Sequence, residues 1–176
     1  MNRKLQSLYD SIETERLDIT EQVKKLPDKE LNRKPAEGKW SVLQIIFHLV
    51  KTEKIAVISI QKGIQKKEKH AAWTLRSLIN NALLNIILKT PVKIKAPPIV
   101  AKVPDTYNLN ELLVQWEKSG KALKETAEEF TPELMEINVF PHSYLGDMNI
   151  TKTFKFILEH LKHHKRQIYK IHIFPK

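Results

Sequence analysis

The stretch at positions 156–168, FILEHLKHHKRQI, holds three of the chain's seven histidines within five positions. Apolar residues recur at helical spacing through this stretch, which predicts a helix with one buried stripe. His160 and His164 are four residues apart, so they lie one turn from each other at an edge of that stripe. His163 points further away, towards solvent. The members of the predicted stripe are Phe154, Ile157, Leu158, Leu161 and Ile168.

Two histidines at this spacing can aim one nitrogen each at a common point about 2 Å away, as a transition-metal site requires. Two ligands do not make a firm site, so a third is expected from another helix. His48 is the best candidate, because it lies at the margin of an apolar helix face made of Val42, Ile45, Ile46, Leu49 and Ala56. Taken alone, however, His48 is more often a half-buried structural residue, and the pair could be a solvated edge.

The two halves of the chain show the same order of features, which suggests two helical hairpins packed together. In each half, a helix ends, a glycine-containing loop follows, and a new helix carries a histidine. We therefore predict an all-α fold, an antiparallel four-helix bundle with one additional helix and no strand pairing. The bundle helices are expected near 2–25, 41–65, 107–130 and 150–172, with the additional helix near 73–88. The first helix presents Leu5, Leu8, Ile12, Leu17, Ile19 and Val23 at roughly helical spacing.

The second bundle helix has a clear start signal. Ser41 is a favourable N-cap, and Gln44 follows three residues later, as a capping box requires. Trp40 precedes the cap and can fold over Ile45 as a hydrophobic staple.

Length and composition limit the classes of protein to which the chain can belong. The chain has 176 residues, 41% of them hydrophobic, which favours one domain over residues 1–176 with its own core. It has no cysteine, which excludes disulfides, thiolate metal sites and a cysteine nucleophile and fits a cytoplasmic location. No signal peptide or membrane span is expected. The net charge of +10 raises nucleic acid as a partner, but the lysines are spread through every segment, so a solvated surface is favoured.

Two blocks of sequence are similar to a known family. The first is EGKWSVLQIIFHLVKTE at 37–53, and the second is FPHSYLGDMNITKTFKFILEHLKHHKRQI at 140–168, with KIKAPP at 93–98 between them. In this order they resemble the DinB-like superfamily, which includes the YfiT-type metal-dependent hydrolases. The resemblance implies a four-helix bundle with a divalent metal held by His48, His160 and His164. Many relatives read His-Pro where this chain reads Pro141-His142, so His142 is given no role.

The resemblance, together with the chemistry of three imidazoles, implies a zinc or nickel enzyme acting on a small molecule. It would be a hydrolase or an S-transferase that uses a low-molecular-weight thiol. A non-catalytic metal- or ligand-binding helical protein and, less favoured, a basic nucleic-acid-binding module are the alternatives. A homodimer is expected, with LINNALLNIIL at 78–88 as the candidate contact.

Four further side chains have open roles. Gln167 is expected either to orient a ligand histidine or bind substrate or cofactor, or simply to pack on the helix surface, and the sequence favours neither interpretation. Tyr144 is a second candidate for cofactor binding, and with Asp147 it would rim the pocket. Glu53 falls near an apolar face, so a buried structural hydrogen-bonding group is favoured over a catalytic base.

Overall fold

The computed structural model describes residues 1–66, 103–104, 107–142 and 146–173. Five helices, a single 3-10 turn and two strands lie in these ranges. In chain order they are α1 (Arg3–Lys24), α2 (Asp28–Asn32), α3 (Val42–Lys66), α4 (Leu109–Glu128), the 3-10 turn (Leu134–Glu136), β1 (Asn138–His142), β2 (Gly146–Asn149) and α5 (Ile150–Ile173).

The four-helix bundle predicted from the sequence is confirmed. It consists of α1, α3, α4 and α5, and each end lies within about two residues of the predicted position. The helix expected near 73–88 and the candidate dimer segment at 78–88 lie outside the described residues. None of the helices in the described ranges has the length and apolar content that a membrane span needs.

The start of α3 is fixed by the predicted capping box. The Gln44 amide N–H donates to the Ser41 hydroxyl at 3.3 Å, and the Ser41 amide N–H donates to the Gln44 side-chain oxygen at 3.0 Å. Both residues are buried, so this reciprocal pair satisfies donors that the first turn would otherwise leave without partners. The box therefore sets where α3 begins, less than two turns before His48.

The helices of the bundle are not all antiparallel to their neighbours. Lys54 donates to the side chain of Gln115, and about two turns further along α3 and three turns further along α4, Gln61 donates to Thr126. The contacts advance in the same direction, so α3 and α4 run parallel. Only short loops force neighbouring helices to be antiparallel, and the connection between α3 and α4 is long.

The buried side of α1 differs from the predicted one chiefly at Leu17 and Arg16, and the predicted Leu8 is partly buried. Leu17 is 56% exposed, whereas Arg16 is 3% exposed. Arg16 falls in phase with the other buried residues of α1, and Leu17 is rotated about 100° away from them. The expectation for Leu17 was wrong because an apolar residue was preferred to a charged one, although Arg16 has a buried partner on α3. The buried residues of α1 are Leu5, Ile12, Arg16, Ile19 and Val23.

The expectation that no strands pair was also wrong. β1 and β2 form an antiparallel hairpin in which Phe140 pairs with Met148 and His142 with Gly146. Phe140 and Met148 are buried, so this short ladder is held by packing rather than by its own hydrogen bonds. A strand of only four or five residues with a proline gives too little alternation to be recognised in the sequence.

Candidate metal centre

Three histidines from two helices meet inside the bundle. His48 comes from the second turn of α3, and His160 and His164 come from successive turns of α5. His48 and His164 are buried, at 4% and 7% exposure, and His160 is partly buried. The Nε2 atom of His160 lies 3.1 Å from the Nε2 of His48 and 3.1 Å from the Nε2 of His164. The structure thus brings together the three residues that the sequence singled out as metal ligands.

The three rings form a nearly equilateral triangle. Their centroids are 5.0 Å apart for His48 and His160, 4.9 Å for His48 and His164, and 4.6 Å for His160 and His164. Two nitrogens bound to one ion at 2.0–2.1 Å would be about 2.9 Å apart at a right angle and about 3.3 Å apart at the tetrahedral angle. The separations from the Nε2 of His160 to the other two Nε2 atoms lie between these values, so each pair fits two ligands of one divalent ion with either geometry, and the three ligand atoms all lie within 4.8 Å of one another.

Hydrogen bonds alone satisfy this arrangement poorly. The Nδ1 of His164 lies 2.8 Å from the side-chain oxygen of Gln167, an acceptor that pairs with the tautomer whose proton is on Nδ1; in that tautomer the Nε2 of this ring is an acceptor. The contact with His160 then needs a proton on the Nε2 of His160, and the same proton must also serve the contact with His48. One N–H is divided between two acceptors, whereas a cation would accept three lone pairs at once.

Burial keeps the imidazoles neutral. The pKa of His160 is well below its usual value, first because the ring is removed from water and second because the charges of His164 and His48 would oppose its own. The pKa of His164 is lowered first by burial and second by the opposing charges of His48 and His163, and its hydrogen bond to Gln167 partly offsets the effect. Neutral rings have a lone pair to donate, so the environment favours the metal-binding form of these two residues.

Aromatic side chains hold the other two rings. Trp40 lies against His48, with ring centroids 4.9 Å apart. Phe156 stacks on His160 at 5.4 Å, with the ring planes 20° apart. No role was predicted for Phe156, and Trp40 was expected over Ile45. A signal for Phe156 was available, because it lies four residues before His160 on the same side of the helix.

The remaining candidates are placed as follows. Tyr144 lies outside the described residues. Asp147 is exposed on β2, and His163 is partly buried with its ring 5.0 Å from that of His164. His142 lies at the end of β1 with its ring 4.7 Å from that of Phe156. Desolvation lowers the pKa of His142 to about 4.

Glu53 is buried with two partners on one of its carboxylate oxygens, Oε2, while Oε1 has no hydrogen-bond partner among the described residues. Its side chain is 2% exposed, it accepts from the Arg16 guanidinium at 3.0 Å, and it accepts from the Trp116 indole N–H at 3.4 Å. These contacts join α3 to α1 and α4. The favoured interpretation of Glu53 as a structural hydrogen-bonding group agrees with this geometry, although the sequence analysis did not find Arg16 as its partner.

Comparisons with known proteins agree with the fold. The model of the DinB superfamily matches residues 11–168, so the chain belongs to the DinB superfamily. YuaE of Bacillus subtilis (strain 168), a protein of uncharacterised function, is 25% identical over 156 residues, which cover 89% of this chain and 91% of YuaE. The structure of YfiT from Bacillus subtilis, described as a probable metal-dependent hydrolase with an unusual four-helix bundle topology, aligns with a TM-score of 0.67 at 11% identity. The alignment covers 97% of this chain and 87% of YfiT, and it establishes the shared fold.

Proposed function

We propose that this chain is a metal-dependent hydrolase of small molecules, with His48, His160 and His164 as the ligands of a divalent ion. The observation that carries the proposal is the convergence of three histidine rings, with the Nε2 of His160 3.1 Å from the Nε2 of each of the other two. The description of YfiT as a probable metal-dependent hydrolase supports the same class of activity. Imidazole nitrogens suit zinc and nickel, and the donor geometry fits both.

When bound, the ion would supply Lewis acidity and would lower the pKa of a coordinated water or thiol. The chain's own residues would hold the ligands in place. Gln167 orients His164, Trp40 limits the motion of the His48 ring, and Phe156 does the same for His160. The aromatic rings also line the ligand set with apolar surface, which excludes water and strengthens electrostatic interactions at the site.

Thiol transfer is the second candidate activity. In hydrolysis of an ester, the water oxygen attacks the acyl carbon, the carbon–oxygen bond breaks, and the alcohol leaves with a proton. In S-transfer, a thiolate sulfur attacks an electrophilic carbon and a leaving group such as chloride departs. The chain has no cysteine, so the thiol of the second reaction must belong to a small molecule. Three neutral ligands leave the charge of the ion uncompensated, which favours binding of an anionic thiolate.

The test uses protein stripped with a chelator and reloaded with Zn²⁺ or Ni²⁺. Each form is offered activated esters, amides and an aryl chloride, with and without glutathione. Hydrolysis without thiol supports the leading proposal, and a thioether product formed only with glutathione supports the transferase. The variant His164→Ala should lose turnover, and the matched neighbour His163→Ala should keep it.

Two outcomes of this experiment would refute an enzyme of either kind. If the chain binds one ion but turns over none of the compounds offered, with or without glutathione, a non-catalytic metal-binding protein is favoured. Failure of the wild type to bind any divalent ion would refute the metal site itself. Binding of mixed-sequence DNA that weakens steeply with salt would instead favour the nucleic-acid module.

A further inference from the structure

The three clustered imidazoles are held by different kinds of contact. Trp40 and Phe156 touch the faces or edges of rings, which fixes the planes of His48 and His160. Such contacts do not distinguish one ring nitrogen from the other. His164 has in addition a hydrogen bond at Nδ1, to the amide oxygen of Gln167 at 2.8 Å. This bond is directional and acts on a single nitrogen.

We infer that Gln167 is a positioning residue that holds His164 as the Nδ1–H tautomer and thereby leaves the Nε2 lone pair pointing into the histidine cluster. Gln167 lies three residues after His164, so both side chains project from the same side of α5. An amide oxygen can only accept, so it selects the proton on Nδ1. The consequence for metal affinity rests on the proposed function, whereas the tautomer is a property of the metal-free chain.

The energetic reason lies in competition for the Nε2 of His164. Without an acceptor at Nδ1, the ring can place its proton on Nε2 and donate it to His160, 3.1 Å away. A metal would then have to displace that proton before it could bind. Partners of this kind in metalloproteins typically contribute about 10–100-fold in metal affinity. We expect a loss in that range when Gln167 is replaced by a residue without an acceptor.

Two substitutions separate the acceptor from the shape of the side chain. Gln167→Leu removes the acceptor and keeps similar bulk, and Gln167→Glu keeps an acceptor and makes it stronger. Gln22→Leu is the matched control, because it makes the same chemical change on α1, where the Gln22 side chain bonds only to Asp18 among the contacts of the described residues. Circular dichroism checks that each variant is folded.

The first measurement is the ¹⁵N chemical shift of the His164 ring nitrogens in metal-free protein. The wild type, Gln167→Glu and Gln22→Leu should show a protonated Nδ1 and a bare Nε2, and Gln167→Leu should show a shift of the proton towards Nε2. The second measurement is the dissociation constant for Zn²⁺. It should rise about 10–100-fold in Gln167→Leu and stay within a few-fold of wild type in the other two variants.

The outcomes separate this inference from the proposed function. A proton on Nε2 of His164 in the wild type overturns the inference, and this result needs no variant to fold. An unchanged tautomer in folded Gln167→Leu overturns it as well. If the tautomer changes as expected but no form binds Zn²⁺ or Ni²⁺, Gln167 positions His164 as inferred and the metal site fails instead.

Discussion

Replacing His164 by alanine should remove most of the stability that a divalent ion gives to the fold. A ligand that binds only the native state raises the free energy of unfolding by RT ln(1 + [L]/Kd), which is about 2.7 kcal/mol at a free concentration of 100 Kd. For a chain of this size, each kcal/mol raises Tm by about 2–4 °C. The wild type should therefore gain about 5–11 °C when the ion is added to metal-free protein.

The variant should gain much less. The Nε2 of His164 lies 3.1 Å from that of His160, which lies 3.1 Å from that of His48, and the loss of His164 leaves only His48 and His160. Losing a supporting partner of a ligand already costs up to about 100-fold in affinity, and losing a ligand costs at least as much. At the same ion concentration, a 100-fold weaker site leaves about 0.4 kcal/mol of stabilisation, or about 1–2 °C.

The assay is differential scanning calorimetry of each protein with and without Zn²⁺, so that every variant is compared with its own metal-free form. His163→Ala is the control, because His163 is adjacent and partly buried but is not part of the triangle of nitrogens. Its metal-induced gain in Tm should equal that of the wild type. Equal gains in His164→Ala and wild type would refute the assignment of His164 as a ligand.

Three other perturbations test the surroundings of the site. Arg16→Met should lower the free energy of unfolding in urea by about 3–5 kcal/mol, because it leaves the carboxylate of Glu53 buried without its cation, and adding Glu53→Leu should recover much of that loss. An Arg16→Met variant as stable as wild type would contradict this. Gly63→Ala should cost about 1–3 kcal/mol by the same assay, because a Cβ there would meet the backbone of Val139 at 2.7 Å, and an unchanged midpoint would count against that contact. Burial lowers the pKa of His142 to about 4, so between pH 6.5 and pH 4 the unfolded chain binds a proton at this residue more readily than the folded chain does. The contribution of His142 to stability is therefore complete above about pH 6.5 and is lost as pH falls towards about 4. His142→Gln should flatten the pH dependence of Tm in that window, and identical profiles of variant and wild type would refute this.

The sequence predicts what depends on local spacing. The ends of the four long helices follow from apolar periodicity and from caps such as Ser41 with Gln44, since both signals act within a few residues. The pairing of His160 with His164 likewise follows from the geometry of one helix. His48 could be proposed as the third ligand because its position at the margin of an apolar face directs it towards another helix.

What the sequence did not predict depends on contacts between distant segments. Arg16 is buried with two carboxylate partners, Glu13 on its own helix and Glu53, 37 residues away, and a pattern of apolar residues contains no sign of the second pair. The position of Trp40 against His48 is likewise a tertiary contact. Gln167 had two open roles, and the hydrogen bond to Nδ1 of His164 favours the orienting one because it occupies the side-chain oxygen.

The unexpected hairpin explains how the two halves of the histidine cluster are kept in register. β2 leads directly into α5, and β1 packs on α3, where Gly63 allows the backbone of Val139 to approach closely. Phe140 of β1 also stacks near Phe156 of α5, with ring centroids 6.1 Å apart. The hairpin therefore ties the end of α3 to the start of α5. Because a one-residue slip of α5 would move its side chains about 1.5 Å along and 100° around the helix, this tie helps to keep His160 and His164 level with His48.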